Sequence, residues 1–463
     1  MDHSLNMTHG NPAKLIFRLA VPFMLTSIGQ QLYGIVDAII VGRGVGVAAF
    51  AALGACDWLV WAILWAVQGI TQGFSTMIAR KFGAGDEDGM RHAVCMCAWL
   101  SLIFGAVVTA VFVILARPLL AALGTPSQII GDAAVYLTMI YGGTLIITGY
   151  NMAAAILRAV GDGRTPLIAM GIAGAVNIVL DLVFVMVFHW EIMGAAAATL
   201  LAQLFAFLFC LAAFRRYTIF RFRRADWKWD GPMAWELWKL GIPLALESTI
   251  VVLGGIFAQA VINSYGEVFV AGCTAANKLH GTLDCSAVAI GFASSTFIGQ
   301  NYGAKRLDRV HEGIRKATLI TLAVGAVIAA VMLIFERPVV NLFLDRSVEN
   351  AAEALDVACG YITVMSLMLV GAYLMNLYRY SLQGLGNTAA PMLSGFFEFG
   401  ARLFVAYVFP MFLGSRGLYF MDGSAWWAAG IFQIICFYRT LKKIDRAEAD
   451  ADILQERQEN HGI

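Results

Sequence analysis

Acidic side chains lie inside apolar stretches in the first half of the chain, at Asp37, Asp57 and Asp181. A charged group within a membrane is costly and usually has a function. Asn177 lies four residues before Asp181, so both would share one helix face and we expect a hydrogen bond between them. No Lys or Arg lies at comparable depth in this half, and a buried carboxylate without a cationic partner takes up a proton readily. We predict that Asp37, Asn177 and Asp181 bind a proton or, through oxygen, sodium, whereas Asp57 is solvated.

The second half combines acids with bases inside its apolar stretches. These residues are Glu247, Asp284, Glu398, Lys278, Arg379 and Arg402. Glu398 and Arg402 are four residues apart, which favours a helical ion pair. Asn277, His280 and Asp284 have the spacing of one polar helix stripe. We interpret Glu247, Asp284, His280, Glu398 and Arg402 as a charge-compensated structural or gating network. A second ion site at Glu247 or Asp284 is the open alternative.

The two halves repeat each other at an offset of about 220 residues. The segment 73–84 recurs as 293–304, and Pro22 recurs as Pro243. Such duplication is common in secondary transporters, which hold substrate between the repeats.

The acids of the first half have no acidic counterpart in the second. Asp37 corresponds to Ala258 and Asp181 to Ala406. The scaffold therefore does not require a carboxylate at either position. This asymmetry favours a functional role for Asp37 and Asp181.

The composition indicates an all-α integral membrane protein. The 463 residues are 60% hydrophobic and 14% charged, and the mean hydropathy is +0.73. A soluble domain has about 25% charged residues. Twelve stretches approach or exceed the length of a membrane-crossing helix. The predicted spans are about 14–40, 50–79, 93–116, 132–157, 167–189, 193–214, 240–264, 268–298, 317–336, 353–383, 391–413 and 423–440.

These spans predict two pseudo-symmetric lobes of six helices each. We place the N-lobe at 1–214, a cytoplasmic linker at 215–239, the C-lobe at 240–441 and a cytoplasmic, partly disordered tail at 442–463. Segments expected in the cytoplasm hold 24 Lys and Arg, against 5 in the opposite loops. This bias predicts a plasma-membrane protein with both termini on the cytoplasmic side. The first span lacks a cleavage pattern, and Asn11-Pro12 predicts its cap and first turn.

Other function classes lack their motifs. The sequence has no Walker, GxGxxG or HExxH motif and no CxxC pair among its eight cysteines. We therefore expect no cofactor and no metal other than a coupling ion, and the eight cysteines as packing residues. The net charge of +1 gives no sign of nucleic-acid binding. Without a nucleotide motif, ion coupling is the remaining energy source.

Several motifs resemble the MATE (multidrug and toxic compound extrusion) transporters. They are Asp37 with 41–43, the segment 75–85, Gly161–Pro166, and Asn177 with 181–184. The resemblance covers nearly the whole chain and implies a V-shaped pair of lobes. It also implies efflux of organic cations or amphipathic compounds against proton or sodium entry, without enzymatic activity. The Asp37–Asp181 pair is similar to the N-lobe cation site of the DinF-like bacterial branch. Glu247 lies where some relatives carry a C-lobe sodium-site acid, although the matching acid of span ten is not evident.

The cargo is poorly specified by the sequence. Polar side chains within apolar spans are the predicted cavity residues: Gln30, Tyr33, Gln68, Tyr141 and Asn151. Pro22, which removes a helical hydrogen bond, is the predicted hinge. We expect a monomer in a lipid bilayer that handles small cationic or amphipathic molecules. The alternatives are a flippase for lipid-linked oligosaccharide, an exporter of one metabolite, nutrient uptake, or a membrane enzyme.

Overall fold

The computed structural model describes residues 5–341 and 351–461, and the side chains of some of these, including Tyr33 and His280, lie outside the description. The described chain is helical and has no strand. The first lobe contains α1 (Pro12–Gly44), α2 (Val47–Gly83), α3 (Glu87–Ala122), α4 (Ile130–Gly142), α5 (Thr144–Ala159), α6 (Arg164–Asp181) and α7 (Glu191–Ala213). The second contains α8 (Gly231–Asn263), α9 (Glu267–Gly303), α10 (Leu307–Val340), α11 (Ala351–Gly384), α12 (Ala389–Val408), α13 (Pro410–Leu413) and α14 (Met421–His461).

Helix lengths account for the twelve predicted spans. Nine helical stretches of the described chain are long and apolar enough to cross a membrane, or ten if the bent pair α4–α5 forms one span. One of the nine, 389–450, contains both α12 and α14. The remaining predicted span corresponds to α9, which is not among these apolar stretches but is a helix of 37 residues.

Three local features differ from the predicted continuous spans. The fourth span bends by 45° between α4 and α5, where Gly142 and Gly143 lower helix propensity. The fifth span changes after Asp181 into a π-helix over Leu182–Val187. The segment after Leu441, predicted to be partly disordered, continues α14 to His461. Its many Ala, Glu, Lys, Arg and Gln residues are good helix formers, which explains this correction.

Short polar side chains begin several helices. The Asn11 side chain accepts from the backbone N–H groups of Ala13 and Lys14, and Pro12 lies in the first turn, as predicted. Asp230 accepts from the N–H of Met233 at the start of α8. Such caps satisfy backbone donors that the first helical turn leaves unpaired. They fix where the chain enters each span.

The lobes contact each other where repeat-related helices cross. A Cβ atom on Gly83 of α2 would lie 1.9 Å from the carbonyl oxygen of Gln300, and one on Gly303 of α9 would lie 1.9 Å from that of Arg80. Only glycine allows the two backbones to approach this closely. The Arg80 guanidinium also donates to the Leu385 carbonyl at 2.6 Å. The duplicated segments thus form a matched crossing of the two lobes.

The N-terminal segment 5–10 bridges both lobes near this crossing. The Leu5 N–H donates to the Val160 carbonyl at 3.0 Å, and the Met7 N–H donates to Gln300 Oε1 at 2.8 Å. Gln300 Nε2 donates in turn to the Ala159 carbonyl at 2.8 Å. Arg309 Nη2 donates to the Met7 carbonyl at 3.1 Å. The segment therefore holds the end of α5 against α9 and α10.

Candidate functional site

The carboxyl groups of Asp37 and Asp181 meet inside the first lobe. Helix α1 packs along α6, which brings Asp37 opposite the last residue of α6. Their exposed fractions are 8% and 0%. The two side chains interact directly with one another, and both oxygens of Asp181 lack any other hydrogen-bond partner in the described part of the chain. The structure thus brings together the two acids that the sequence singled out.

Asn177 is buried beside this pair but does not bond to it. Its side chain is fully buried, and neither its amide oxygen nor its amide nitrogen has a hydrogen-bond partner among the described residues. The predicted Asn177–Asp181 hydrogen bond is therefore absent, because the Asp181 carboxyl interacts with Asp37 on the neighbouring helix. The oxygen and nitrogen of the Asn177 amide are therefore available to a ligand that binds at the Asp37–Asp181 pair.

The surroundings of the pair are apolar. Val41, Val185 and Ile178 belong to or pack against the same buried cluster. Within the described residues no Lys or Arg forms an ion pair with either carboxylate. Two adjacent carboxyls in such surroundings repel each other when both are ionised, so they favour sharing a proton or a cation. The arrangement can bind and release one positive charge.

The equivalent positions in the second lobe are ordinary packing positions. Ala406 is buried in the apolar cluster of that lobe, and Ala258 packs against the same cluster. The repeat fold is therefore stable with alanine at both places. Packing of the repeat therefore does not require the carboxylates of Asp37 and Asp181 in the first lobe.

The second lobe contains a chain of buried ion pairs. Arg379 Nε lies 2.8 Å from Glu247 Oε1, and Arg379 Nη2 lies 3.0 Å from Glu398 Oε2. Arg402 Nη2 lies 3.0 Å from Glu398 Oε1, which is the predicted helical ion pair. Arg402 Nε reaches Asp422 Oδ1 at 3.1 Å. The chain links α8, α11, α12 and α14.

Sequence reasoning identified only part of this network. It missed Asp422 and Tyr361, whose hydroxyl donates to Asp422 Oδ2 at 2.6 Å. The only sequence signal was an acid near the start of the last span. Asp284 accepts from Asn376 Nδ2 at 3.2 Å, and the predicted His280 side chain lies outside the described residues. Glu247, the open candidate for a second ion site, contacts the guanidinium of Arg379.

The predicted cavity residues have different surroundings. Gln30, Gln68 and Asn151 are partly buried, and Asn151 Nδ2 donates to the Ile147 carbonyl of its own helix at 2.9 Å. Tyr141 is fully buried in the core, and its hydroxyl donates to the Leu59 carbonyl at 3.3 Å. Tyr141 is thus a packing residue in this structure, since its ring fills the space between neighbouring helices. The Tyr33 side chain lies outside the described part.

Arg158 is a cationic residue between the lobes that the sequence did not single out. Its guanidinium carbon lies 5.0 Å from the ring centre of Phe23 and 5.9 Å from that of Phe292. These rings, from α1 and α9, stack with centres 4.5 Å apart. Arg158 lies directly after the predicted span 132–157, and no local sequence signal distinguished it from the other basic residues at span ends.

Comparison with known proteins identifies the family. A family model described as MatE matches residues 22–183 and again 243–408. The chain is 32% identical over 312 residues to the probable multidrug resistance protein YpnP of Bacillus subtilis, covering 66% of this chain and 68% of that protein. It is 26% identical over 450 residues to a probable multidrug resistance protein NorM of Thermotoga maritima, covering 93% and 91%. A solved MOP superfamily transporter from Pyrococcus furiosus superposes with a TM-score of 0.89 at 24% identity, over 96% of this chain and 99% of that one.

A duplicated bundle of twelve spans with buried acids defines a multi-pass membrane transporter rather than an enzyme. The chain belongs to the MATE family, whose model matches both repeats. The two six-helix lobes have the V-shaped arrangement of the related structure.

Proposed function

We propose that this protein is a secondary active multidrug efflux transporter that exports organic cations or amphipathic compounds by antiport with protons or sodium. The observation that carries the proposal is the buried Asp37–Asp181 pair on α1 and α6. The names of YpnP and NorM, each a probable multidrug resistance protein, support drug efflux.

The contrast between the lobes supports the first lobe as the site of ion coupling. In the second lobe Glu247 and Glu398 already contact the guanidinium of Arg379. A cation that entered this site would have to displace the Arg379 guanidinium from both carboxylates. The Asp37–Asp181 pair has no such competitor among the described residues, so a proton or sodium ion binds there at lower cost.

The proposed cycle uses charge neutralisation to move cargo. In the proposed cycle the Asp37–Asp181 pair already shares one proton and carries one negative charge, and an ion entering from outside neutralises that charge. Loss of the negative charge lets α1 repack against α6, which shrinks the adjoining space and releases a cationic substrate outward. Release of the ion towards the cytoplasm restores the negative charge that attracts the next cation. The ion gradient acts through this difference in charge, because a ligand shifts a conformational equilibrium only by its difference in affinity for the two states.

Orientation follows from the charge bias of the loops. Under the proposal both termini and the linker 215–239 lie in the cytoplasm, in a plasma membrane. Labelling single cysteines introduced in this linker with a membrane-impermeant reagent tests the orientation. Labelling of intact cells from outside would contradict it.

Arg158 favours one alternative, the export of a specific metabolite or lipid-linked sugar with an acidic group. Its guanidinium lies against a stacked pair of aromatic rings, one from each lobe, and a cation there attracts phosphate or carboxylate. Arg158→Gln separates the two proposals. It should abolish export of an acidic cargo, whereas export of a cationic drug should persist.

Resistance profiling tests the proposed function directly. Cells lacking their own efflux pumps would express the wild type or Asp181→Asn, and growth would be measured against panels of cationic and neutral drugs. External pH and sodium would be varied separately to identify the coupling ion. We expect wild-type resistance to cationic drugs that depends on one of these ions and is lost in the variant. Equal growth of wild-type and vector-only cells on every drug would contradict multidrug efflux.

A further inference from the structure

The connection between the lobes, residues 215–230, is firmly attached to the first lobe. Tyr217, Ile219 and Phe220 are buried in the core cluster of that lobe. The Tyr217 hydroxyl donates to the Asp162 carboxylate. His92 Nδ1 lies 2.9 Å from the Asp226 carbonyl oxygen, so it donates to it. These contacts give the segment a defined outer surface.

That outer surface is strongly cationic. Five exposed cations point away from the core, and none forms an ion pair within the described residues: Arg215, Arg216, Arg221, Arg224 and Lys228. Arg223 lies 3.6 Å from Asp88 and is already compensated. Of the two acids between 215 and 235, Asp226 is buried and accepts from the Arg223 N–H at 2.7 Å. The other, Asp230, accepts from the Met233 N–H at 3.0 Å and lies 3.4 Å from His92 Nε2. The surface therefore carries positive charge that the protein itself does not neutralise.

Exposed tryptophans lie beside these cations. Trp227, Trp229 and Trp235 are all exposed, the last by 60%. Trp235 shares a face of α8 with the exposed Ile242 and Leu246, seven and eleven residues further on. At 1.5 Å per residue, Trp235 lies about 10 Å along the helix from Ile242. Indole rings concentrate at the membrane–water interface, at the level of the headgroups.

We propose that this basic linker surface, Arg215–Trp235, binds the headgroups of anionic phospholipids. The exposed apolar residues Ile242 and Leu246 of α8 continue directly into this surface, so bilayer headgroups are the ligand that its position favours. A zwitterionic headgroup offers these cations no net charge, whereas an anionic one favours binding by about fivefold for each cation engaged. The inference concerns the lipid partner of the transporter and does not depend on its cargo or its coupling ion.

Fluorescence quenching by brominated lipids tests the proposal. The full chain would be reconstituted in phosphatidylcholine bilayers containing brominated phosphatidylglycerol or brominated phosphatidylcholine. The difference in emission between the wild type and W229F/W235F isolates the signal of Trp229 and Trp235. We expect half-maximal quenching of this signal at an at least fivefold lower mole fraction of the anionic lipid. High salt should reduce that preference, because exposed charges are screened.

A variant with five substitutions provides the decisive comparison. In R215Q/R216Q/R221Q/R224Q/K228Q the two brominated lipids should quench equally, with the tryptophan substitutions repeated in this background. A matched control, K442Q/K443Q/R446Q on the exposed end of α14, should retain the wild-type preference. Equal quenching by both lipids in the wild type would overturn the proposal. A preference that survives the five substitutions would overturn it as well.

Discussion

Replacing Glu398 by glutamine should strongly destabilise the protein. Glu398 is 2% exposed and contacts Arg379 and Arg402, each at 3.0 Å. Glutamine has nearly the same volume but no charge, so it leaves two buried guanidinium groups with fewer anionic partners. Breaking a buried pair in this way costs about 3–5 kcal/mol. We expect a loss of this size in the free energy of unfolding, measured by denaturant titration in mixed micelles.

An exposed ion pair in the same lobe provides the control. Arg337 Nη2 lies 3.9 Å from Asp356 Oδ1, and their side chains are 70% and 77% exposed. Asp356→Asn should leave the free energy of unfolding unchanged, because solvent screens this pair. In a double-mutant cycle, Glu398→Gln with Arg402→Met should cost less than the sum of the single losses. Equal effects of Glu398→Gln and Asp356→Asn would refute the buried network as a stabilising element.

Three further substitutions test other parts of the structure. Pro22→Ala restores a hydrogen bond in α1 and should alter the pH dependence of drug efflux without impairing folding; an unchanged pH profile would remove Pro22 as a hinge. Gly303→Ala places a Cβ atom 1.9 Å from a backbone oxygen of α2 and should cost about 1–3 kcal/mol in thermal unfolding assays, whereas Gly171→Ala, with nothing within 4 Å, should be tolerated. Asp86→Ala should cost about 1 kcal/mol at neutral pH through the lost helix cap. The N–H of Gly89 lowers the pKa of Asp86, so this difference should vanish as the pH falls through that lowered value.

The architecture follows closely from the sequence, since apolar length and charge bias are properties of the chain itself. The twelve spans and the duplication were predicted, and the Glu398–Arg402 pair follows from spacing along one helix. The π-helix after Asp181 was not predicted, because hydropathy does not distinguish helix types. The bend at Gly143 had a local signal in two adjacent glycines.

Contacts between distant helices were harder to predict. The sequence indicated Asp37 and Asp181 because both lack acidic repeat partners, but gave no orientation for either side chain. It paired Asp181 with Asn177 along the helix, whereas packing of α1 on α6 pairs Asp181 with Asp37. Asp422 was missed because its partner Arg402 lies on another helix.

Coupled flux through the purified protein is the direct test of ion coupling at the Asp37–Asp181 pair. Proteoliposomes containing the wild type, Asp181→Asn or the control Asp57→Asn would receive a pH or a sodium gradient, and drug movement and ion movement would be recorded together. One gradient should drive drug transport in the wild type and in Asp57→Asn. Asp181→Asn should show no gradient-driven transport, although the protein inserts normally. Undiminished coupled transport by Asp181→Asn would contradict the assignment of the Asp37–Asp181 pair as the coupling site.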